Sequence, residues 1–572
     1  MNELNASIRD RLFRQENLLL FAIATLLLGF GLRLIHLADV SFTASESVLG
    51  ALAFQVSKGA RVGSGSVPAY LGLTSLIFFL AKDTAFWARI VPVLAGSSLI
   101  ILPYIWRHRL QPASVVVLTL AFTLDPLLVI FSRQIVSPII ALAAVLWLAT
   151  AVEKKQPIIS GISLAFGLLS GYWVWPVFLA LALAALLFTL LKHEPLRLLS
   201  YLEWGNEGWL RFWISLALGI LMISTSCLRN PAGISGLGQG LADLFKLSAG
   251  IFKLPFGLPI YTWLAYSIVP VLFLILVSSQ KNKVSPSPTR PFMDAFLVFL
   301  FLFCLYFSRQ DVGLIVFLTA YFWWVVSSGL GRMMPSSEVR GFEYVALTLF
   351  FITLAVYTGI TLRSIIANPY GTGASLQAWL AVLAGIVILV LAFVLVRVGW
   401  SRELANRSAL ASLFVVLGVI LLATTFNSLY AKADKAALLT QGEALVLPRD
   451  VLPSILAELQ QEGKLKVEND KALVIDSALP GSAWFLRDFD QQPLLGSSSI
   501  SGDPEIILTS SDAQPSFANT YRGLSIPGTL SMDWAGMAWG NYLRSLFGAP
   551  LLTQDNEIIL WVRSDLFPGA YQ

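Results

Sequence analysis

Long apolar segments recur along the chain between Leu18 and Tyr430, and they constrain the fold more than any other feature of the sequence. Several of them approach the roughly 20 residues that an α-helix needs to cross the hydrocarbon core of a bilayer. Charged residues make up only 13% of the 572 residues, whereas a soluble protein carries roughly 25%. The chain therefore cannot fold as one large soluble globule, and we expect a polytopic α-helical membrane protein.

The apolar segments indicate about thirteen membrane helices. The first follows a basic N-terminus but has no small-residue cleavage site, so we interpret it as a retained helix and not as a signal peptide. The segment 68–82, "PAYLGLTSLIFFLAK", is short for a span, and we expect a helix that lies against the outer face. The predicted spans lie near residues 18–37, 86–106, 112–131, 135–152, 158–171, 173–191, 211–227, 258–279, 292–308, 312–330, 342–365, 376–398 and 408–430.

The connections between these helices predict the topology. If the N-terminus is cytoplasmic, every second connection is basic and lies on the cytoplasmic side, as the positive-inside rule expects. A full span at 68–82 would invert all later loops and break this agreement. We therefore predict an N-in, C-out arrangement in the cell (plasma) membrane. The basic connections are "RHR" (107–109), "EKK" (153–155), "KHEPLR" (192–197), "QKNK" (280–283), Arg332 with Arg340, and "RVGWSRELANR" (397–407).

Three outer segments follow from this topology: 38–84 with its surface helices, the glycine-rich 228–257, and the chain after 430. In the third segment charges become frequent, and strand-like runs alternate with helical patterns, which favours a small α/β domain. We expect a transmembrane domain over 1–430 and an extracytoplasmic α/β domain over 431–572. The strand-like runs lie at 472–477, 505–510 and 557–563, and the helical patterns at 450–463 and 535–547.

Other classes of site find little support. Basic residues form no stripe that would bind nucleic acid. His36, His108 and His193 are scattered without the spacing of metal ligands, so we predict no metal site. Cys227 and Cys304 lie in or beside apolar runs and indicate packing residues. A transporter is disfavoured because two matching halves with paired interrupted helices are not evident.

Glu46 is the one acidic residue in the stretch "SFTASESVLGALAFQVSKG" (41–59), which follows the first span. Apolar residues recur after it with helical spacing, so we predict a helix with one buried face. Thr43 and Glu46 have the spacing of a capping box, in which Glu46 reaches back to the Thr43 amide. Glu46 is thus either the residue that starts a helix or a working carboxylate.

The same region resembles a known family, the membrane glycosyltransferases of the GT-C fold, and specifically their protein-mannosyltransferase-like branch, glycosyltransferase family 39. In that family a first helix ends in Arg, an outer helix begins with an Asp-Glu pair, and later spans open with "aR" and end in "P…sR". The order and spacing match over residues 1–155. "STSCLRNPAG" (224–233) and "AWFLRD" (483–488) also look like stretches of related bacterial membrane proteins. The matching segments here are Arg33, "SESVLGALA" (45–53), Gly59 to Pro68, "YLGLTSLIFFLAKDTAFWAR" (70–89) and "DPLLVIFSR" (125–133).

The resemblance implies roles for individual residues. The family's catalytic base is the Asp of the Asp-Glu pair, and Ser45 stands at that position here. A second family acid, beyond "sR", is missing from "RQIVSPII" (133–140). Transfer of a sugar to a hydroxyl needs a base, for which Glu46 is the first candidate and Asp39 the second. Stabilising the lipid phosphate that leaves needs cations, for which the candidates are Arg33, Arg133 and Arg309, with a divalent cation as a further possibility.

The resemblance therefore implies a membrane glycosyltransferase that moves a sugar from a polyprenyl-phosphate donor to an extracytoplasmic lipid, glycan or protein. Its donor tail would lie among the spans, in contact with membrane lipids. The alternative is a catalytically inactive GT-C relative that serves as a structural or assembly partner, which the absence of the Asp at Ser45 favours.

Each of three further sets of residues allows two interpretations. Asp125, in the outer part of a span, is either functional or a partner of Arg133 or Arg89. The stretch "GYWVWP" (171–176) is either an interfacial aromatic belt or a platform on which a sugar stacks. Trp484, Arg487 and Asp488 either contact the membrane domain or lie on a surface helix.

Overall fold

A computed structural model gives the arrangement of the chain. The C-terminal part is described in separate pieces. The structure describes residues 15–40, 42–63, 65, 67–135, 138–192, 203–249, 257–278, 290–307, 311–333, 341–367, 376–431, 443–445, 461, 473–476, 483–484, 487, 491–494, 506–511, 519–532 and 553–564.

Helices make up the described chain as far as residue 431, and a helix lies at each predicted span. Between α3 and α4 there is a four-residue helix, Ala85–Ala88, and a short 3-10 turn and helix extend α4 to Ile105. The helices are α1 (Gln15–Leu34), α2 (Ala44–Ser57), α3 (Pro68–Leu80), α4 (Ile90–Ser98), α5 (Pro112–Leu124), α6 (Pro126–Arg133), α7 (Pro138–Glu153), α8 (Pro157–Leu169), α9 (Val174–Lys192), α10 (Gly205–Ser224), α11 (Ser235–Ala249), α12 (Gly257–Ser278), α13 (Arg290–Phe307), α14 (Ile315–Met333), α15 (Gly341–Ala367), α16 (Leu376–Gly399) and α17 (Arg402–Phe426).

Proline sets where several of these helices begin. Its fixed φ suits the first helical turn, where the missing N–H removes no hydrogen bond. Pro68, Pro112, Pro126 and Pro157 all lie at the first position of their helices. Pro126 has a second effect, because it separates α5 from the short α6 at a bend of 46°.

Length and composition identify the helices that are able to cross a bilayer. Within the described ranges, six helices pass this test, or eight if α5 with α6 and α8 with α9 each count as one span. Five shorter apolar helices accompany them, including α3. The chain is thus a multi-pass membrane protein, and the count of thirteen spans stays a prediction. With 13 residues, α3 is about 20 Å long, shorter than the ~30 Å hydrocarbon core.

One continuous cluster of buried side chains holds the bundle together. It runs through α1 to α7 and α9 and continues in α12, α13, α14 and α17. In contrast, α15 and α16 keep most of their apolar side chains on the outside. A helix that is apolar all round without being buried is typical of a span that faces lipid.

Beyond residue 431 the described pieces form a six-stranded mixed sheet. The predicted runs at 472–477, 505–510 and 557–563 are strands, whereas the predicted helices at 450–463 and 535–547 fall almost entirely outside the described residues. The sheet order is β1-β5-β6-β4-β2-β3, with β2 parallel to β3 and β4 and the other pairs antiparallel. The strands are β1 (Glu443–Leu445), β2 (Leu473–Asp476), β3 (Gln491–Leu494), β4 (Ile506–Ser510), β5 (Tyr521–Met532) and β6 (Thr553–Arg563).

Trp484 joins the C-terminal part to the helical part. Its backbone N–H donates to the Ser47 hydroxyl at 2.8 Å. Its ring lies against Phe42 and Phe78, with centroids 4.9 and 5.9 Å away. A side chain at Gly50 would clash with this ring, because an added Cβ would lie 2.9 Å from Trp484 Cε3. The interpretation that this segment contacts the membrane domain is therefore confirmed for Trp484. Asp488 lies outside the described residues.

Candidate functional site

Four segments meet around Glu46: the turn after α1, the start of α2, the start of α4, and the end of α6. Each begins or ends a helix, so each brings backbone groups that the helix itself leaves unpaired. Of the charged side chains predicted from the sequence, Glu46, Asp39, Arg33 and Arg133 lie in and beside this junction.

The local contacts of Glu46 are those of the predicted capping box. Glu46 N–H donates to the Thr43 hydroxyl at 3.3 Å, and Thr43 N–H donates to Glu46 Oε2 at 3.0 Å. Thr43 has extended backbone geometry, as a residue before a helix should. The capping prediction is confirmed.

The remaining contacts of Glu46 come from distant parts of the chain. Arg89 Nη2 lies 3.0 Å from Oε2, and Arg89 Nε donates to Oε1 at 3.4 Å. The backbone N–H of Ile135 donates to Oε1 at 2.7 Å. The side chain is only 1% exposed. Both carboxylate oxygens are therefore occupied by groups of the protein itself, away from solvent.

Arg89 connects this carboxylate to the turn after α1. Its Nη1 donates to the carbonyl oxygens of Leu37 at 2.9 Å and Val40 at 2.8 Å. Its guanidinium carbon lies 4.6 Å from the centre of the Phe42 ring, a cation–π arrangement. Sequence analysis named Arg89 as the residue that opens the next span and as a possible partner of Asp125, and did not pair it with Glu46. That pairing depends on packing between segments 43 residues apart.

Arg133 ends α6 and holds the C-terminal end of α1. Its guanidinium donates to the carbonyl oxygens of Leu32 at 3.1 Å, Ile35 at 2.8 Å and His36 at 3.1 Å. These carbonyls carry the negative end of the helix dipole, so the cation is favourably placed. The guanidinium also lies 5.8 Å from the Tyr430 ring. Arg133 is buried but not completely, with 6% of its surface exposed.

Arg33 lies deeper, between α1 and α5. It is completely buried. Its guanidinium donates to Gly29 O and Phe122 O, both at 2.9 Å. Gly96 packs beside Arg33 and Ser132, and an added Cβ there would clash with the Ser132 side chain, at 2.0 Å from its hydroxyl oxygen.

Asp125 is buried beside the same helices. Its carboxylate accepts from Leu128 N at 3.1 Å, which caps α6, and from Trp323 Nε1 at 2.7 Å. The sequence interpretation that paired Asp125 with Arg133 or Arg89 is wrong, because both arginines bind backbone carbonyls or Glu46 instead. The indole supplies the hydrogen bond that a buried carboxylate needs.

His36 and Asp39 form a pair at the surface of the turn after α1. Nδ1 of His36 is hydrogen-bonded to Oδ2 of Asp39. The side chains are 63% and 59% exposed. Ser45 is also exposed, whereas the next residue, Glu46, is buried. Sequence analysis named Asp39 as the second candidate base but did not identify its partner.

The other predicted features have different outcomes. Tyr172 and Trp173 are buried and stacked, with ring centroids 4.5 Å apart, which does not fit an interfacial belt. Arg309 lies outside the described residues. Among the residues that the structure describes, three or more His, Cys, Asp or Glu side chains do not gather in a way that could hold a metal ion.

Comparison with known proteins identifies the fold. Neither a protein-family profile nor a curated protein matches the chain. The crystal structure of ArnT from Cupriavidus metallidurans bound to undecaprenyl phosphate is similar, with a TM-score of 0.56 and 11% identity over 97% of this chain and 98% of ArnT. The apo state of the same protein gives a TM-score of 0.50 and 13% identity over 96% and 98%. ArnT is a GT-C glycosyltransferase, so the likeness shows that this chain has the GT-C fold.

Proposed function

We propose that this chain is a membrane glycosyltransferase that takes a sugar from a polyprenyl-phosphate donor and transfers it to a hydroxyl group of a lipid, glycan or protein. The observation that carries the proposal is the fold match, which extends over nearly the whole length of both chains. The matched ArnT structure holds undecaprenyl phosphate. The family 39-like motifs at the outer ends of the first helices support the same assignment.

The reaction needs a proton acceptor and a stabilised leaving group. The acceptor oxygen bonds to the anomeric carbon of the sugar, and the bond from that carbon to the phosphate oxygen breaks. Polyprenyl phosphate leaves with the electron pair, and its developing charge is lowered in energy by nearby cations. We assign this role first to Arg133, because it keeps 6% of its surface exposed whereas Arg33 is completely buried. Arg33 lies deeper, and Arg309 stays a prediction.

We propose that Glu46 is a positioning residue. Its contacts with Thr43, Arg89 and Ile135 tie three segments into one junction. To accept a proton from a substrate, the carboxylate would have to leave these partners, which is costly for a buried ion pair. The role of Glu46 as a base is a separate prediction, and variants at Glu46 distinguish the two roles.

The finer assignments belong to the same proposal. We propose the N-in, C-out topology in the plasma membrane, with the C-terminal sheet outside the cell and the reaction on the outer face. The basic loops support this orientation. The division into a transmembrane domain, 1–430, and a C-terminal domain, 431–572, is part of this proposal.

Transfer of a labelled sugar by the purified protein tests the proposed function. Polyprenyl phosphates with different sugars are offered with lipid, glycan and peptide acceptors, with and without EDTA to detect any divalent-cation requirement. We expect turnover by the wild type. Absence of transfer with every donor, in protein that is folded, would support the non-catalytic alternative.

The variant Ser45→Asp extends this test. It restores the family's acidic pair at an exposed position, so it needs no repacking of the junction. In an enzyme weakened by the missing Asp we expect transfer to rise; in a scaffold we expect no transfer with or without the substitution.

A further inference from the structure

The turn after α1 carries an exposed histidine with a fixed orientation. His36 Nδ1 is hydrogen-bonded to the Asp39 carboxylate, three residues later. Since that carboxylate accepts hydrogen bonds, Nδ1 carries the proton in the neutral ring, and Nε2 is then the unprotonated nitrogen. Within the described chain, Nε2 has no hydrogen-bond partner. The turn thus presents one basic nitrogen to the solvent.

Hydrogen bonds hold the backbone of the turn that carries this pair. His36 has φ of +53°, in the left-handed region that residues other than glycine rarely adopt. The turn is closed by Asp39 N–H, which donates to His36 O at 3.2 Å. Two buried guanidinium groups also hold the turn, since Arg133 donates to His36 O and Arg89 donates to Leu37 O. Unfavourable backbone geometry that persists in this way is often found at active sites.

The surroundings of the pair suit the proposed reaction. Arg133, the cation assigned to the leaving phosphate, is hydrogen-bonded to the carbonyl of His36 itself. The ring of Tyr430 meets His36 edge to face, with centroids 5.9 Å apart. Glu46, in contrast, is sealed from solvent by its own partners. His36 and Asp39 are both exposed proton acceptors of this turn, but the Asp39 carboxylate is hydrogen-bonded to the imidazole, whereas Nε2 of His36 faces solvent without a partner among the described residues.

We infer that His36 is the general base of this enzyme and that Asp39 is the residue that positions it, an inference that rests on the proposed glycosyl transfer. Nε2 takes the proton of the acceptor hydroxyl while that oxygen bonds to the anomeric carbon and polyprenyl phosphate departs with its electron pair. The imidazolium that forms is stabilised by the adjacent Asp39 carboxylate. It then releases the proton to water, which restores the neutral ring.

The test uses His36→Ala, Asp39→Asn, Asp39→Glu and a matched control in the full chain. The chain offers the control in His108, which also forms an exposed histidine–carboxylate pair, with Glu153 at 3.0 Å, and lies outside the junction. Loss of a general base lowers turnover by about 10²–10⁴-fold. We therefore expect His36→Ala to lower kcat by this factor with the donor KM unchanged, and His108→Ala to retain wild-type activity.

Two further readouts separate proton transfer from a structural effect. Added imidazole should restore transfer by His36→Ala in proportion to its concentration and should leave wild type and His108→Ala unaffected. Asp39→Asn should lower kcat less than His36→Ala does, because the base is still present but loses its orientation, and Asp39→Glu should recover part of the loss.

The outcomes distinguish this inference from the proposed function. If the wild type transfers sugar and His36→Ala is as active as His108→Ala, the inference is wrong while the function stands. If His36→Ala is inactive, binds donor weakly and is not rescued by imidazole, the residue is structural and the inference is also wrong. If the wild type transfers no sugar at all, the proposed function fails and the inference falls with it.

Discussion

Arg89 and Glu46 form a buried ion pair, with Nη2 and Oε2 3.0 Å apart and each side chain 1% exposed. The pair joins the first residue before α4 to the first turn of α2. Glu46 Oε1 also accepts a hydrogen bond from Ile135 N–H, and Arg89 also donates to the carbonyl oxygens of Leu37 and Val40. Every polar group of the pair is therefore used to hold the segments that frame the candidate site.

Breaking this pair from one side should destabilise the protein more than removing both charges. A single buried charge without its partner costs about 3–5 kcal/mol, whereas neutral replacement of both is far less costly. We expect Glu46→Gln and Arg89→Met each to lower the melting temperature in detergent, and the double variant to recover part of the loss. Additive effects of the two substitutions would contradict the coupling.

The same three variants separate the two roles of Glu46. If Glu46 positions the junction, sugar transfer should recover in the double variant relative to Glu46→Gln. If Glu46 is the base, transfer should stay about 10²–10⁴-fold below wild type in both. The exposed ion pair of Glu207 and Arg211, 3.2 Å apart in α10, provides the control, since its loss should change neither stability nor transfer measurably.

Gly72→Ala should destabilise the contact between α3 and α10. An added Cβ would lie 1.9 Å from the carbonyl oxygen of Ile223, a backbone atom that cannot move aside without shifting its helix. Overpacking of this kind costs about 1–3 kcal/mol. The control is Gly418→Ala in α17, where nothing lies within 4 Å and alanine should be neutral or stabilising. Equal thermal stability of the two variants would argue against the packing of α3 on α10.

Trp484→Ala should release the C-terminal part from α2 and α3. Truncating a well-packed tryptophan costs about 3–5 kcal/mol. The variant also removes the ring over which Arg487 lies at 4.1 Å. We expect faster limited proteolysis of the C-terminal part at equal expression. Trp400→Ala, in which an exposed tryptophan is removed, is the control. Identical cleavage rates in the two variants would contradict this contact.

The proposed topology predicts which cysteines react from outside the cell. In a Cys227→Ser, Cys304→Ala background, Lys82→Cys should react with a membrane-impermeant maleimide in intact cells, because it follows the outer helix α3. Lys154→Cys lies in a basic connection and should react only after permeabilisation. Both side chains are exposed, so accessibility does not bias the comparison. The reverse labelling pattern would overturn the N-in arrangement.

Much of the architecture could be predicted from local patterns. Apolar runs and positive connections depend on residues close together in the chain, and a helix of the structure lies at each predicted span. The capping box of Thr43 and Glu46 has the same origin, because its partners are three residues apart. The strands β2 and β4 and the second part of β6, at 557–563, were also visible as β-rich runs. The strands β1, β3 and β5 were not, since short or glycine- and proline-containing strands resemble loops.

The sequence by itself determined that this chain is a membrane protein, where the helices of its first 431 residues lie, and which short stretch starts α2. Only the tertiary structure decided what the charged residues do, because burial and pairing depend on segments far apart in the chain. In the folded chain Glu46 is buried between Arg89 and Ile135, Arg33 is buried inside the bundle, and His36 is exposed beside Asp39. Helical periodicity cannot predict this last pair, since it depends on a left-handed turn that two distant arginines hold in place.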